Sequence, residues 1–434
     1  MSGLITIREY GRLTTAPVVN SLDQAQVPAS AFDWLCELSA GFHKNGARLL
    51  QVEGRHSLKW DSYVGVVETP CGTRLEILPK HTEQGYCATR SREMLRKMIQ
   101  QALNLKPRVT SVTNLALYDA PLSEWVMGQF LAELDHLFKR GLRFDYQRIE
   151  EEQRFLRGQL NVVAQMRQPA GRQHCFQIRH DVFMPDRPEN RVLKFVLERI
   201  CTLTQLPDNW RLAQELRNQL AEIPASRYPH RDLSAWSDER LMAHYRAVKP
   251  WCELILIDQM PLSVSGQWQG MSLLFPMPKL FEQYVAGWLR TNLSPDASLR
   301  TQARSEFLCQ HQDESMFRLE PDLLVTKGDR RWVLDTKWKR IDAKRRDNNY
   351  GLGQADFYQL FAYGQKYLKG AGELVLIYPS HGDFVEALAR FSFADGLGLH
   401  VLPFDLDACC LIDPERAALP VLATQASIAQ VSGA

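Results

Sequence analysis

The sequence lacks any cysteine pattern that could hold a metal or staple a small fold. Its nine cysteines are odd in number and scattered, with no C-x-x-C pair. That excludes a thiolate zinc site and a disulfide-built secreted scaffold, and it fits a reducing compartment. No apolar run approaches the roughly 18 residues that a membrane span needs. The first residues, Met1-Ser-Gly-Leu-Ile-Thr-Ile-Arg-Glu-Tyr10, carry no basic stretch followed by a long apolar one, so the expected location is the cytoplasm, away from membranes. No G-x-x-x-x-G-K-[ST] phosphate loop occurs. Gly351-Leu-Gly353 is too short to be one and is simply the turn before a helix, so the chain shows no nucleotide-hydrolysis site of its own. Internal repeats and low-complexity segments are absent, and so is a large net charge of either sign: the balance is only +2.

What is present is an ordinary globular composition. The 434 residues are 45% hydrophobic and 24% charged, enough for a sizeable core divided over two or three domains. The charge is local. Nine Lys/Arg against five Asp/Glu lie between Pro321 and Tyr350, and eight against four between Lys139 and Arg172. Two basic stretches in a near-neutral chain suit contact with a polyanion at two places, although charge alone favours a solvated face.

Patterning predicts an α+β protein in four parts. Residues 1–118 read as a β-rich N-terminal domain. Within it, Tyr63 to Pro79 forms two strands about a Pro-Cys-Gly turn, with Arg74, Glu76 and Leu78 on a mostly polar face. Residues 119–268 are a helical middle. One helix there carries Trp125, Phe130, Leu134 and Leu137 up to Lys139-Arg140-Gly141, a second runs from about 189 to 203, and a third from about 209 to 223, ended by Pro224. Pro250 to Gln269 reads as a connector. Residues 269–415 form a C-terminal domain with a mixed sheet flanked by helices, opened by a helix with Pro278 in its first turn. Residues 416–434 are a tail expected to fray.

The informative stretch is Arg318 to Lys339, a β-hairpin turning at Gly328-Asp329. Along its second strand Trp332, Leu334, Thr336 and Trp338 face one way, the natural core side. Val333, Asp335, Lys337 and Lys339 face the other. With Gly328 and Asp329 central, Asp322 lies directly opposite Asp335, at a Cβ separation of roughly 4.5–5.5 Å. Carboxylates that close repel, and a divalent cation between them removes the conflict. Lys337 then stands where it can steady charge developing on a phosphoryl group. Each residue taken singly fits a surface hairpin with weak ion pairs; the opposition and the shared face favour chemistry. Two helices flank the hairpin. In the one from about 354 to 369, Phe357, Leu360, Phe361, Gly364 and Leu368 make the apolar stripe, with Asp356, Gln359 and Tyr363 beside it. In the Pro278 helix the packing face is Phe281, Tyr284, Val285 and Trp288. Glu282 sits just off it and on pattern alone is a solvent-facing glutamate.

Pro321-Asp322 and Asp335-Thr336-Lys337 resemble the PD and D-x-K elements of the PD-(D/E)xK nuclease superfamily. From about residue 60 to 380 the chain resembles the McrC family, nuclease subunits of McrBC-type modification-dependent restriction systems. The resemblance is carried by Gly72-Thr-Arg-Leu-Glu-Ile-Leu-Pro-Lys80, Lys139-Arg-Gly-Leu-Arg143, Phe155-Leu-Arg-Gly-Gln-Leu160, Asn190-Arg191, Leu280-Phe-Glu282, Asp335-Thr-Lys-Trp-Lys339 and Asp356-Phe-Tyr-Gln-Leu-Phe-Ala-Tyr363. It implies a Mg²⁺-dependent DNA endonuclease with Asp322, Asp335 and Glu282 as metal ligands, Lys337 as the catalytic lysine, and Gln359 and Tyr363 matching a Gln-x-x-x-Tyr element. It further implies double-stranded DNA carrying modified cytosine, of the 5-methylcytosine type, as substrate. The implied partner is an McrB-like AAA+ hexamer that hydrolyses the GTP and is stimulated by the N-terminal part of this chain. The alternatives are a non-catalytic GTPase-activating, DNA-binding adaptor, against which the intact acidic pair and lysine argue, and a RecB-like PD-(D/E)xK exonuclease. Against the second stand the Arg-Gly-rich middle and the Ile-Leu-Pro-Lys segment.

Overall fold

The computed structural model describes residues 4–43, 48–80, 87–105, 120–172, 174–256, 272–394 and 396–422. Strands and helices are mixed throughout, as an α+β class requires. The chain divides into two compact units. One joins residues 1–106 with 259–434, and the other is 107–258. The N-terminal β-rich segment therefore shares a unit with the C-terminal segment, and the middle of the chain is inserted between them.

Three larger sheets organise the first unit. Strands β1 (Leu4–Arg8), β6 (Tyr63–Glu68), β7 (Arg74–Leu78) and β11 (Leu273–Pro276) form one sheet in the order β1-β7-β6-β11. The expected Tyr63–Pro79 pair of strands is its antiparallel centre. A second, four-stranded sheet packs its apolar face with helix α1 (Ala29–His43), burying Leu13, Leu35, Leu58 and Trp60. The seven-stranded sheet contains β12 (Ala297–Thr301), β15 (Leu323–Lys327), β16 (Arg330–Thr336), β17 (Gly372–Pro379) and β19 (Leu397–Asp405) in that spatial order. It is mixed: β15 and β16 are antiparallel, whereas β16, β17 and β19 run parallel. Leu374-Val-Leu-Ile377 is buried along its whole length, as a parallel strand covered on both faces must be.

The second unit has helices Leu122–Arg140, Pro188–Leu203 and Pro207–Gln219 with a three-stranded sheet. The first helix stops at Gly141, whose φ of 92° suits glycine. The third ends at Gln219, short of Pro224, because a turn closed by Ile223 N–H on Leu220 O already leaves the helix. The expected connector is helical at its start: Lys249–Leu256 forms a helix that buries Trp251 and Cys252. Its remainder, 257–269, lies outside the described residues, as does most of the tail. Among the described residues no helix is long and apolar enough to cross a membrane.

One face of β7 differs from the sequence expectation. Glu76 is fully buried, because helix α2 (Ala88–Ala102) covers that face and Arg92 donates to the Glu76 carboxylate at 2.7 Å. A buried carboxylate needs such a partner.

Two contacts join the ends of the chain within the first unit. β11 pairs with β6, and the approach is close enough that a Cβ on Gly65, which has φ +131°, would overlap the Leu273 carbonyl. Glu9 provides the other. Its Oε1 accepts from Lys80 N–H at 2.7 Å and from Trp338 Nε1–H at 2.8 Å, and burial pushes the carboxyl up to about 7.

Gly65→Ala is expected to cost about 3 kcal/mol or more, from the forced backbone and the overlap together, read as a lower urea midpoint. For Glu9 the folded carboxyl titrates above its unfolded value. Its stabilising contribution is thus complete below the unfolded pKa and is lost as pH rises through about 7. Glu9→Gln should remove that dependence, so its stability relative to wild type improves between roughly pH 5 and 8. A constant difference across that window would contradict the assignment.

Candidate functional site

The hairpin register is the one the turn dictates. Lys327 pairs with Arg330 and Leu323 with Leu334, so the next pair outward sets Asp322 against Asp335. Gly328 adopts φ +56° at the turn, a conformation that glycine enters without a side-chain penalty.

The two faces of β16 are both covered, and that changes the expected picture of an open polar side. Trp338 packs against Phe281 of the Pro278 helix (Met277–Asn292), with ring centroids 5.4 Å apart. On the other face Val333 joins Leu360, Tyr363 and Tyr367 of the helix Gln354–Tyr367. The apolar stripe of that helix is accordingly Leu360, Tyr363, Gly364 and Tyr367, while Phe361 is exposed. The stripe is rotated from the sequence expectation because the two tyrosines bury their rings and satisfy their hydroxyls on backbone carbonyls. Tyr363 donates to Glu320 O at 3.0 Å, and Tyr367 to Leu319 O at 2.9 Å.

Asp335 is only 1% exposed. Burial, then the neighbouring charge of Asp322, pushes its carboxyl up to about 7 against the opposing pull of Lys337. The Lys337 ammonium lies 2.6 Å from Asp335 Oδ2, outside regular hydrogen-bond geometry. It also reaches Gln359 Oε1 at 3.4 Å and Asp356 Oδ1 at 3.9 Å. Burial works to lower the Lys337 pKa, but Asp335, Asp356 and Asp322 outweigh it and the net shift is upward. Gln359 in turn donates to Tyr363 Oη at 2.9 Å. The two residues of the Gln-x-x-x-Tyr element thus form a relay that orients the lysine. Burial and then Asp335 push the Tyr363 phenol up to about 12, so it stays a donor.

Asp322 turns toward the residue between the acid and the lysine: its Oδ2 accepts from Thr336 N–H at 2.8 Å and from Thr336 Oγ1–H at 2.9 Å. Glu282 is not solvent-facing. It is 8% exposed, because the Pro278 helix lies down on the sheet. Its two oxygens accept from Lys279 Nζ at 2.7 and 2.8 Å. Burial raises its pKa, and Asp322 adds to the rise.

Asp322, Asp335 and Lys337 are therefore brought together, Gln359 and Tyr363 support the lysine, and Glu282 lies within electrostatic reach of Asp322. Two participants carried no role in the sequence reading. Asp356 holds Lys339 at 3.2 Å and faces Lys337, and Lys279 neutralises Glu282. The i,i+3 spacing of Lys279 and Glu282 was the available signal for the latter.

Among the described residues no group of three or more His, Cys, Asp or Glu side chains is set out as a metal-holding cluster. The donor chemistry nevertheless suits a hard divalent cation: Asp322, Asp335 and Glu282 offer only oxygens. Asp335, which its surroundings drive toward the neutral acid, is the group whose ionised form such a cation would stabilise.

The fold is shared with solved proteins. No curated protein matches the chain. A solved chain from a half-complex of Thermococcus gammatolerans McrB AAA+ hexamers with bound McrC has the same fold, with a TM-score of 0.71, 19% identity, and coverage of 93% of this chain and 95% of that one. A second, from the Thermococcus gammatolerans McrBC complex, has a TM-score of 0.53 at 20% identity, over 67% of this chain and 88% of the other. A sequence model described as McrBC 5-methylcytosine restriction system component matches residues 58–379, and the chain belongs to that family.

Proposed function

We propose that this chain is the DNA-cutting subunit of its restriction system, hydrolysing phosphodiester bonds at Asp322, Asp335 and Lys337. The observation that supports this best is the opposition of two carboxylates at the open end of a hairpin, one of them buried, with a lysine seated 2.6 Å from it. A purely structural ion pair gains little from burying Asp335 beside a second acid. A site for a divalent cation gains from that arrangement, because the cation removes the repulsion between the acids.

The residues divide the work. Asp322 and Asp335, with Glu282 from the adjacent helix, would hold Mg²⁺, which supplies Lewis acidity and an activated water. Thr336 fixes the Asp322 carboxylate through two hydrogen bonds. Lys337, held in direction by Gln359 and, through it, by Tyr363, would face the phosphoryl oxygens. The covering helices keep the Asp335 side dry, where a fixed charge acts most strongly.

The substrate in this reading is double-stranded DNA bearing modified cytosine, in line with the family description. The partner is an AAA+ hexamer of McrB type, as bound by McrC in the Thermococcus assembly, and it would turn over the GTP. We assign engagement of that ring to the N-terminal part of the chain. Because residues 1–106 fold together with the C-terminal segment, this is tested on the full chain.

Asp335→Asn should abolish cleavage of methylated plasmid in Mg²⁺, GTP and partner, and still stimulate the partner's steady-state GTP turnover as wild type does. Loss of both together would merge the two activities and defeat the division. Without metal, Asp335→Asn should melt at or above the wild-type temperature, since it removes a buried charge next to Asp322; a clear drop would argue against that conflict. Lys337→Ala should cost on the order of 10²-fold or more in cleavage rate, and an unaffected rate would move the role elsewhere.

A further inference from the structure

Beside the nuclease residues is a cavity of about 300 Å³ that the reading so far leaves without a role. Its walls include Tyr10, Lys80, Trp338, Lys339, Arg340 and His381. All of them belong to the first unit. It opens where β16 and β17 end, the side of parallel strands at which ligands of open sheets collect. Lys339 and Arg340 follow Lys337 by two and three residues, and two residues of extended chain span about 6–7 Å. The cavity is thus the immediate neighbour of the cutting site.

Its chemistry is cationic and aromatic. Lys80, Lys339 and Arg340 bring three positive charges. Lys339 is shared with Asp356 at 3.2 Å. Glu9, at the back, is wholly buried, and burial raises its carboxyl to about 7, which weakens the negative charge set against the cations. Glu9 also fixes the frame, gripping Trp338 Nε1–H and Lys80 N–H through one oxygen. The buried His381 takes Asp383 N–H on Nδ1 at 3.4 Å, which places its proton on Nε2. That atom makes no hydrogen bond of regular geometry, although the Ile341 carbonyl lies close to the ring.

We propose that this cavity holds a phosphate of the DNA strand next to the one being cut, with Lys80 and Arg340 as its clamps and Trp338 as a wall. Lys80 is the last residue of the Gly72–Lys80 segment that marks the N-terminal region. The proposal gives that lysine a duty at the nuclease, distinct from any contact with a partner ring. It rests on the nuclease reading above for the identity of the strand.

The test is binding of a labelled duplex by the full-length protein in EDTA, followed by anisotropy over a series of salt concentrations. Each phosphate contact contributes about 0.9 to the slope of log affinity against log salt. Lys80→Gln and Arg340→Gln should each weaken binding several-fold and reduce the slope by about 0.9, and Lys80→Arg should restore it. Lys369→Gln, beside the Gly328 turn at the far end of the sheet, should change neither. An unchanged slope in both cavity variants, or an equal loss in Lys369→Gln, overturns the subsite. Titration of inorganic phosphate and of a nucleoside monophosphate by calorimetry separates the sources. If either binds wild type and not Lys80→Gln while duplex affinity is untouched, the cavity takes a free phosphorylated molecule and the strand assignment is wrong. Cleavage by wild type with unchanged slopes defeats only this proposal. Lowered slopes with no cleavage in any divalent metal defeat only the nuclease reading.

Discussion

The structure is organised around one electrostatic conflict: Asp322 and Asp335 face each other at the end of a hairpin, and Asp335 is buried there. Nothing in hydrophobic packing favours that arrangement, since burial and like charge both drive the acid toward neutrality. The surrounding groups manage the conflict. Thr336 takes one carboxylate, Lys337 takes the other, and Gln359 and Tyr363 hold the lysine in place. The same logic is repeated one helix away, where Lys279 neutralises Glu282. Two lysines thus stand on Asp335 and Glu282, the two acids that Asp322 repels, and a divalent cation would redistribute those same charges.

How much of this could be read from the sequence follows from which forces are local. The opposition of Asp322 and Asp335 depends only on the turn at Gly328-Asp329 and on strand alternation, both short-range, and the register is as they dictate. Burial was harder to read. Val333 and Asp335 looked like an outward face because the covering helix is contributed by residues 354–367, and β17 runs parallel to β16 through a crossover. Neither leaves a trace in the hairpin's own pattern. Glu282 looked solvent-facing for the same reason: its helix supplies four apolar residues to one side, and only the position of the sheet shows that the glutamate's flank is covered too. Tyr363 was read as flanking the stripe although it is part of it, because a tyrosine can be buried once its hydroxyl finds a carbonyl.

The N-terminal segment gives a second example. Alternation placed Arg74, Glu76 and Leu78 together and called for a polar surface. The helix after the strand instead brings Arg92 onto Glu76 and closes that surface. The pairing of β6 with β11 was still less accessible, since the matched residues lie at opposite ends of the inserted unit. Contacts between distant parts of a chain have no periodicity to reveal them.

That same pairing has a consequence in time. β6 emerges from the ribosome about 200 residues before β11 does, which at bacterial to eukaryotic elongation rates is roughly 10–40 s. During that interval one edge of β6, an apolar strand, has no neighbour, while the intervening unit can complete itself. An unpaired apolar edge is an invitation to another chain. The glycine that lets β11 approach so closely also makes Tyr63–Glu68 a poorer template for a stray strand, because a side-chain-bearing partner gains little from packing against an empty position. The late arrival of residue 273 thus marks the moment at which the C-terminal segment and the N-terminal sheet become one folding unit.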